Sequence, residues 1–194
     1  SERPIFLAAS THRGDDRIIL DGFEQIRHHC PDLLLVLVPR HPERFDEVAE
    51  LCAQRGMAVC RRSSGISPSE DDQVLLGDTM GELLVFCGAS DIAFVGGSRV
   101  PVGGHNLIEP AIWAVPVLSG PHLFNFSEAS RLLREAQGMV ICEDAPAIAE
   151  EVVALLQDPQ SASRMGDAAK SVTDNNRGAL DRLMAIIERQ LSSH

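Results

Sequence analysis

Positive charge is scarce in this sequence. Its 194 residues include 17 lysines and arginines against 28 aspartates and glutamates, giving a formal net charge of −11. Proteins that bind nucleic acid non-specifically need a basic face, so the composition excludes that class and we expect no nucleic-acid partner. An anionic ligand would have to be held by a local cluster of cations against an unfavourable overall field.

Paired cysteines and long apolar segments are also missing. The five cysteines form no Cys-x-x-Cys pair, which favours reduced, mostly buried thiols of a cytosolic protein. The longest apolar run extends from Leu33 to Val38, far short of the ~20 residues that a membrane-spanning helix requires. No signal peptide is visible. We therefore expect a soluble chain, which could still be one part of a membrane-attached protein.

The common catalytic sequence motifs are absent as well. The chain has no Gly-x-Gly-x-x-Gly, Walker, His-Glu-x-x-His or Gly-x-Ser-x-Gly string, so the usual dehydrogenase, NTPase, zincin and hydrolase interpretations lack support. No group of residues has metal-ligand spacing, and we expect no metal or other cofactor. No internal repeat is present. By length the chain is expected to be a single domain spanning residues 1–194.

Short apolar segments do alternate with helical patterns along the chain. We predict strands at Pro4–Ser10, Leu33–Val38, Met57–Cys60, Val74–Gly77, Asp91–Val95, Val115–Leu118 and Met139–Cys142. Predicted helices cover Asp15–His29, Pro42 to Gly56, Asp78 or Thr79 to Cys87, Ser127–Gln137, Ala145–Gln157 after the cap Asp144, and two patterns after Pro159. Residues 61–73 are predicted to form a flexible loop. The alternation predicts an α/β fold, a parallel sheet with helices on both faces.

Ligands of such sheets bind beyond the carboxyl ends of the strands, and polar loops follow the predicted strands here. The most informative one lies within Phe94–Ala111, which contains two Gly-Gly pairs and runs into a predicted helix start. Glycines allow close approach of a ligand to the backbone, and the unpaired N–H groups and dipole of a helix start suit a phosphate. We therefore predict an anion site at Gly103, Gly104 and His105.

Asn106 and Glu109 follow directly and have two interpretations. Their spacing is that of a capping box at a helix start, with Pro110 in the first turn. Alternatively, Glu109 accepts hydrogen bonds from the vicinal hydroxyls of a ribose. The two roles are compatible.

Further candidates follow three other predicted strands. After the second strand, Arg40 beside Pro39 could clamp a phosphate, whereas Arg44 is expected to be solvated and paired with Glu43 or Asp46. The first strand is followed by three polar residues, Ser10, Thr11 and His12. His12 has either an acid–base role or only a polar one. A second predicted helix start comprises Asp78, Thr79, Met80, Gly81 and Glu82. These residues could either cap the helix or contact a nucleotide through their backbone. His122 and Asn125 are weaker candidates.

Taken together, these segments resemble the C-terminal half of 3-deoxy-D-manno-octulosonic acid (Kdo) transferases. The match runs in order from Ala9 to Phe126, and its most specific strings are Pro-Arg-His-Pro-Glu-Arg at Pro39–Arg44 and Gly-Gly-His-Asn-x-x-Glu-Pro at Gly103–Pro110. Ile108 and Trp113 are bulkier than that family pattern suggests.

The resemblance implies a two-domain GT-B glycosyltransferase, of which this chain is the Rossmann-like donor half. It implies the donor CMP-Kdo, a lipid A precursor as acceptor at the cytoplasmic face of the inner membrane, inversion at the anomeric carbon, and no metal. The implied CMP contacts are Pro39, Arg40, Met80, Gly81, Glu82 and Asn106 to Glu109. The family's general base is a glutamate of the N-terminal half, so no catalytic residue is expected in this chain, and the chain alone should be inactive.

Two alternatives stay open on the residues. The same scaffold serves GT-B transferases and epimerases that use UDP- or GDP-sugars. A stand-alone, non-catalytic nucleotide-binding module is the alternative outside enzymes.

Overall fold

The computed structural model describes residues 3–98 and 103–191, with side chains up to residue 175. Within these residues the strands form one sheet in the order β3-β4-β2-β1-β5-β6-β7, and every strand pair is parallel. The strands are β1 (Ile5–Thr11), β2 (Leu34–Pro39), β3 (Val59–Arg61), β4 (Val74–Leu76), β5 (Ile92–Val95), β6 (Val117–Ser119) and β7 (Met139–Ile141). The predicted parallel α/β fold is confirmed.

Helices connect the strands. They are α1 (Asp15–Arg27), α2 (Phe45–Gln54), α3 (Leu83–Gly88), α4 (Ile108–Ile112), α5 (Ser127–Glu135), α6 (Ala145–Gln157) and α7 (Pro159–Leu191). Short 3-10 turns lie at Pro42–Arg44, Arg62–Ser64 and Phe124–Phe126. Helix α6 has its predicted bounds, because the Asp144 carboxylate accepts the Ala147 N–H at 2.9 Å and caps the first turn.

The central strands are buried on both faces. Along β1, Phe6 and Ala8 pack into the core beneath α1 and α6, whereas Leu7 and Ala9 pack into a second core that includes Phe86 of α3. Strand β2 alternates in the same way. Successive side chains of a strand point to opposite faces, so the unbroken apolar run of β2 indicates helices on both sides.

One prediction about the connections was wrong. Residues 62–73 do form a loop after β3, which ends at Arg61, and the Arg3 side chain donates to the carbonyls of Ser69 (2.9 Å) and Asp72 (2.5 Å). The segment after Pro159 is one helix rather than two. Gly166 lies within this helix, and a Cβ there would collide with the Ala114 carbonyl, just before β6. The side chains of the second predicted pattern, from Leu180 to Leu191, lie outside the described part.

The order of the strands locates the binding edge. The chain first builds the sheet on one side of β1, with β2, β3 and β4, and then returns to build β5, β6 and β7 on the other side. The carboxyl ends of β1 and β5 therefore flank the topological switch point, which is where open α/β sheets bind ligands.

Candidate functional site

Asp15, the first residue of α1, fixes the two loops at the switch point. Its Oδ2 accepts the N–H of His12 at 2.9 Å and the N–H of Gly97 at 2.7 Å, so one carboxylate joins the loop after β1 to the loop after β5. Burial raises the pKa of this carboxyl, and the two N–H donors offset part of that increase. Gly96 has to be a glycine, because a Cβ would lie 2.8 Å from the Ser10 carbonyl oxygen.

Ser10 and Thr11 lie at this edge, and both are buried. Ser10 has a positive φ of 54° at the end of β1. The Thr11 hydroxyl donates to Asp16 Oδ1 at 2.6 Å, and its carbonyl accepts the Arg40 N–H at 3.0 Å. The Thr11 side chain is thus engaged within the protein, and the residue shapes the site through its backbone.

Arg44 is not the solvated arginine that the sequence predicted. It is 8% exposed, forms an ion pair with Asp16, and donates from Nη1 to the Thr11 carbonyl at 3.1 Å. Asp16 itself is 2% exposed. A carboxylate buried this deeply requires a charged partner, and Arg44 supplies it.

Three histidines meet beside Asp15. The Nε2 atoms of His12 and His105 are 2.6 Å apart, although the residues are 93 positions apart in sequence, and their ring planes are nearly parallel, with centroids 4.8 Å apart. His41 packs edge-on against His12 at 5.0 Å. Burial lowers the pKa of His12 and lowers that of His105 to about 4, and the neighbouring cations act in the same direction. The structure thus brings together two of the predicted site residues.

The glycine loop is held by hydrogen bonds on both sides. Gly103 and Gly104 have φ values of 95° and 80°, which favour glycine, and a Cβ on Gly103 would collide with the Asn125 side chain. The sequence analysis predicted that the Gly104 N–H would face an anion. Instead, this N–H donates to the Gly97 carbonyl at 2.8 Å. The N–H groups of residues 103 and 105–107 donate to no other residue that the structure describes. Residues 99–102 of the predicted loop lie outside the described part.

The loop after β6 supports this arrangement from the other side. The Asn125 N–H donates to the Gly103 carbonyl at 3.1 Å, and the His122 N–H donates to the Ser98 carbonyl at 2.8 Å. The weaker candidates His122 and Asn125 therefore contact the glycine loop through their backbone.

Asn106 and Glu109 are coupled in a different way from the predicted capping box. Helix α4 begins at Ile108, whose N–H donates to Asn106 Oδ1 at 3.0 Å, and the nearby Asn106 side chain favours the charged form of the Glu109 carboxylate. Glu109 is half-buried; burial raises its pKa, and the charge of Arg40 and the Asn106 side chain oppose the shift. Because α4 has only five residues, its dipole adds little, and any phosphate there depends on individual N–H groups and cations.

Among the residues that the structure describes, Arg40 is a charged side chain at this edge that forms no ion pair. Pro39 is buried at the end of β2, whereas Arg40 is exposed and forms an ion pair with no other described residue. Its positive charge lowers the pKa of His12, His105 and Glu109. The Arg40 guanidinium therefore lies near all three groups.

The predicted residues after β4 are placed differently. Glu82 pairs with Arg62 at 2.8 Å and accepts from the Thr79 hydroxyl, while Met80 is 61% exposed and Gly81 has a φ of 81°. The predicted caps at Asp78 and Thr79 were wrong, because α3 begins only at Leu83. No described contact joins this loop to the three histidines, although β4 is the neighbour of β2 in the sheet.

Two further features concern the described residues only. They contain no group of three or more histidine, cysteine, aspartate or glutamate side chains that could hold a metal ion. Among them no helix combines the length and the apolar character needed to cross a bilayer.

Sequence reasoning missed Asp15 and Asp16, on which the site depends. Acidic residues are common at the first turn of a helix, where they stabilise the positive end of the helix dipole, so the two aspartates did not stand out. One signal was present: both follow directly after the polar loop Ser10–Gly14 of the first predicted strand.

A parallel sheet with glycine turns and cationic side chains at its switch point defines the class of Rossmann-like nucleotide-binding domains. No family model matches the sequence. It is 48% identical over 191 residues to 3-deoxy-D-manno-octulosonic acid transferase of Haemophilus influenzae and 38% identical over 190 residues to that of Bordetella pertussis. These alignments cover 98% and 96% of this chain but 45% and 44% of the relatives.

A solved structure covers nearly the whole fold. The crystal structure of the C-terminal CMP-Kdo binding domain of WaaA from Acinetobacter baumannii superposes with a TM-score of 0.84 and 36% identity, covering 88% of this chain and 89% of that one. The chain therefore belongs to the 3-deoxy-D-manno-octulosonic acid transferase family. Its fold is that of the C-terminal Rossmann-like domain of a GT-B glycosyltransferase, and it spans less than half the length of its curated relatives.

Proposed function

We propose that this chain is the donor-binding half of a Kdo transferase and that it binds CMP-Kdo at the carboxyl ends of β1, β2 and β5. The observation that carries the proposal is the uncommitted guanidinium of Arg40 beside the histidine pair and the glycine loop, in a fold matched over 88% of its length by a CMP-Kdo binding domain. In a chain of net charge −11, this is where an anion finds local cations.

Each residue has a role in this proposal. Arg40 forms charge-assisted hydrogen bonds to the phosphate, and the N–H groups of Gly103 and residues 105–107 donate to the same group. Glu109 accepts from the ribose hydroxyls, and Asn106 orients its carboxylate. Ser10, Thr11 and Pro39 set the course of the backbone. Met80, Gly81 and Glu82 approach the nucleotide through main-chain atoms, because the Glu82 carboxylate is already paired.

The whole protein would contain a second, N-terminal domain. We propose that residues 1–194 are one CMP-sugar-binding domain and that the other domain supplies the glutamate base and the site for a lipid A precursor, at the cytoplasmic face of the inner membrane. Transfer would invert the anomeric centre without a metal. This chain would then contribute donor binding and no catalytic residue.

Titration with nucleotides tests the proposal. We expect CMP to shift the backbone NMR signals of Arg40, His105 and Glu109, and to bind more tightly than UMP or GDP. A preference for UMP or GDP would instead support a transferase or epimerase of another nucleotide sugar. Shifts confined to α5, or none at millimolar CMP, would contradict the assignment of the site.

A transfer assay separates the donor half from a stand-alone module. The chain alone should transfer no Kdo from CMP-Kdo, whereas a protein that also contains the family's N-terminal half should do so. Transfer by the isolated chain would contradict the proposal that the catalytic base lies in the N-terminal half. Tight CMP binding without any transfer in the longer protein would favour a non-catalytic module.

A further inference from the structure

His12 and His105 approach each other through the same ring atom. An imidazole nitrogen carries either a hydrogen or a lone pair, so two Nε2 atoms at 2.6 Å must have one hydrogen between them. One ring is therefore protonated on Nε2 and the other accepts there. The contact tolerates one added proton, which gives an imidazolium that donates to a neutral imidazole. It does not tolerate two, because two N–H groups would then face each other.

The surroundings keep this pair neutral when the site is empty. Arg40 and His41 approach it from the loop after β2, Arg44 adds positive charge from the same loop, and Asp15 supplies the nearest carboxylate from α1. Arg44 is already neutralised by Asp16, and Asp15 is engaged by two backbone N–H groups. Burial and the neighbouring cations lower the pKa of both rings.

The backbone holds the His105 ring in place. A Cβ on Gly97 would lie 2.7 Å from His105 Cδ2, so the ring lies directly against the chain at the end of β5. The Gly104 N–H bond to Gly97 fixes the other end of this contact. His12 is held through its own N–H by Asp15. The His105 ring and the His12 backbone are therefore held in place, so the pair can change its charge without a large rearrangement.

We propose that the His12–His105 pair takes up one proton when a phosphomonoester binds, on the free Nδ1 of the ring that donates, so that the pair becomes an imidazolium that donates through Nε2 to a neutral imidazole and faces the phosphate. The proton comes from solvent, and no covalent bond to the ligand changes. The inference rests on the proposed function, since it concerns the same site. It adds a distinction between ligands: CMP carries about −2 charge above its second pKa of about 6, whereas the phosphodiester of a sugar nucleotide carries a single charge.

Product and donor would then respond differently to pH. Binding of CMP requires the proton and weakens as pH rises, approaching about tenfold per pH unit once the free pair and free CMP are both deprotonated. A phosphodiester needs less compensation, so its affinity changes little over the same range. The pair would favour release of CMP over release of the donor at alkaline pH.

Calorimetry measures the proton directly. CMP and the methyl ester of CMP, a phosphodiester, are titrated at about pH 7.5, above the second phosphate pKa, in buffers of different ionisation enthalpy. The slope of the observed enthalpy gives the number of protons taken up. We expect a value approaching one for CMP and near zero for the methyl ester. His105→Gln should abolish the uptake, and His29→Gln, an exposed histidine beyond α1, should preserve it.

The outcomes separate the two proposals. Binding of CMP without proton uptake overturns this inference and leaves the proposed function standing, whereas no binding of CMP overturns both. A second measurement needs no variant: long-range ¹H–¹⁵N spectra of the unliganded protein should show one ring as the Nε2–H tautomer and the other as the Nδ1–H tautomer, both moving toward imidazolium with CMP. Two rings in the same tautomer would overturn the pairing.

Discussion

Two loops at the same edge of the sheet use their charges in opposite ways. After β4, each charged side chain is paired within the protein: Asp78 with Arg61 at 2.7 Å, and Glu82 with Arg62 at 2.8 Å. After β2, Arg40 is exposed and is paired with no described residue.

The difference distinguishes a structural loop from a binding loop. Asp78 is buried and also accepts the N–H and hydroxyl of Ser63, so it joins the ends of β3 and β4. Its hydrogen bonds and those of Glu82 are already made in the unliganded chain. Arg40 can form its strongest bonds only when an anion arrives. The loops after β1, β2 and β5 should therefore determine affinity, and the loop after β4 should determine mainly stability and shape.

The largest expected effect separates the two arginines of the Pro39–Arg44 segment. Arg44→Ala leaves the buried Asp16 carboxylate without its partner, and we expect a loss of about 3–5 kcal/mol in the free energy of unfolding, measured by urea denaturation. Arg13→Ala, which removes an exposed pair with Glu47, is the matched control and should leave the urea midpoint nearly unchanged. An equally small change for Arg44→Ala would mean that the Asp16 pair contributes no stability.

The next effect is on binding. Arg40→Ala removes a charge-assisted contact to the phosphate, so we expect CMP to bind about 10- to 100-fold more weakly, which corresponds to about 1.5–3 kcal/mol. The thermal midpoint should not change, because Arg40 supports no other described side chain. Arg13→Ala should retain the affinity. Equal losses for both variants would indicate diffuse charge rather than a specific contact.

A smaller effect compares the two glutamates directly. Glu109→Gln weakens the acceptor for the ribose hydroxyls, and we expect about a fivefold loss of CMP affinity, or about 1 kcal/mol. Glu82→Gln disturbs a carboxylate that is already paired with Arg62, and the affinity should change less than about twofold. A larger loss for Glu82→Gln would mean that the Glu82 carboxylate itself contacts the nucleotide, and it would reverse the comparison.

The fold was predictable because its signals are local. Short apolar segments between helical patterns indicated every strand, and the Asp144 cap located the start of α6. Errors occurred where a distant contact decided the outcome. The segment after Pro159 was predicted as two helices and is one, which packs through Gly166 against Ala114, and the sequence did not show that Arg3 binds the loop at Ser69 and Asp72.

The site was predictable as a set of residues but not as a network. The sequence indicated His12, Arg40 and His105, since each follows a strand. It could not show that Asp15 joins two loops or that the Nε2 atoms of two histidines 93 residues apart meet at hydrogen-bond distance. Likewise, the sequence separated Arg40 from Arg44 but placed Arg44 in solvent, and only the structure shows that Arg44 is buried against Asp16 of α1.

The last effect, which is seen only below neutral pH, concerns the stability of the unliganded site. The pKa of His105 is about 4 in the folded chain and about 6.5 when unfolded, so between these values the unfolded state binds more protons. The free energy of unfolding should therefore fall as pH falls through this window, and His12 contributes in the same direction. The raised pKa values of Asp15 and Glu109 act oppositely, since their folded forms hold protons more readily.

The difference between variants isolates the histidine: His105→Gln should make urea stability less dependent on pH between neutral and mildly acidic conditions, and His29→Gln should not. An unchanged pH dependence in His105→Gln would mean that folding does not lower the pKa of His105.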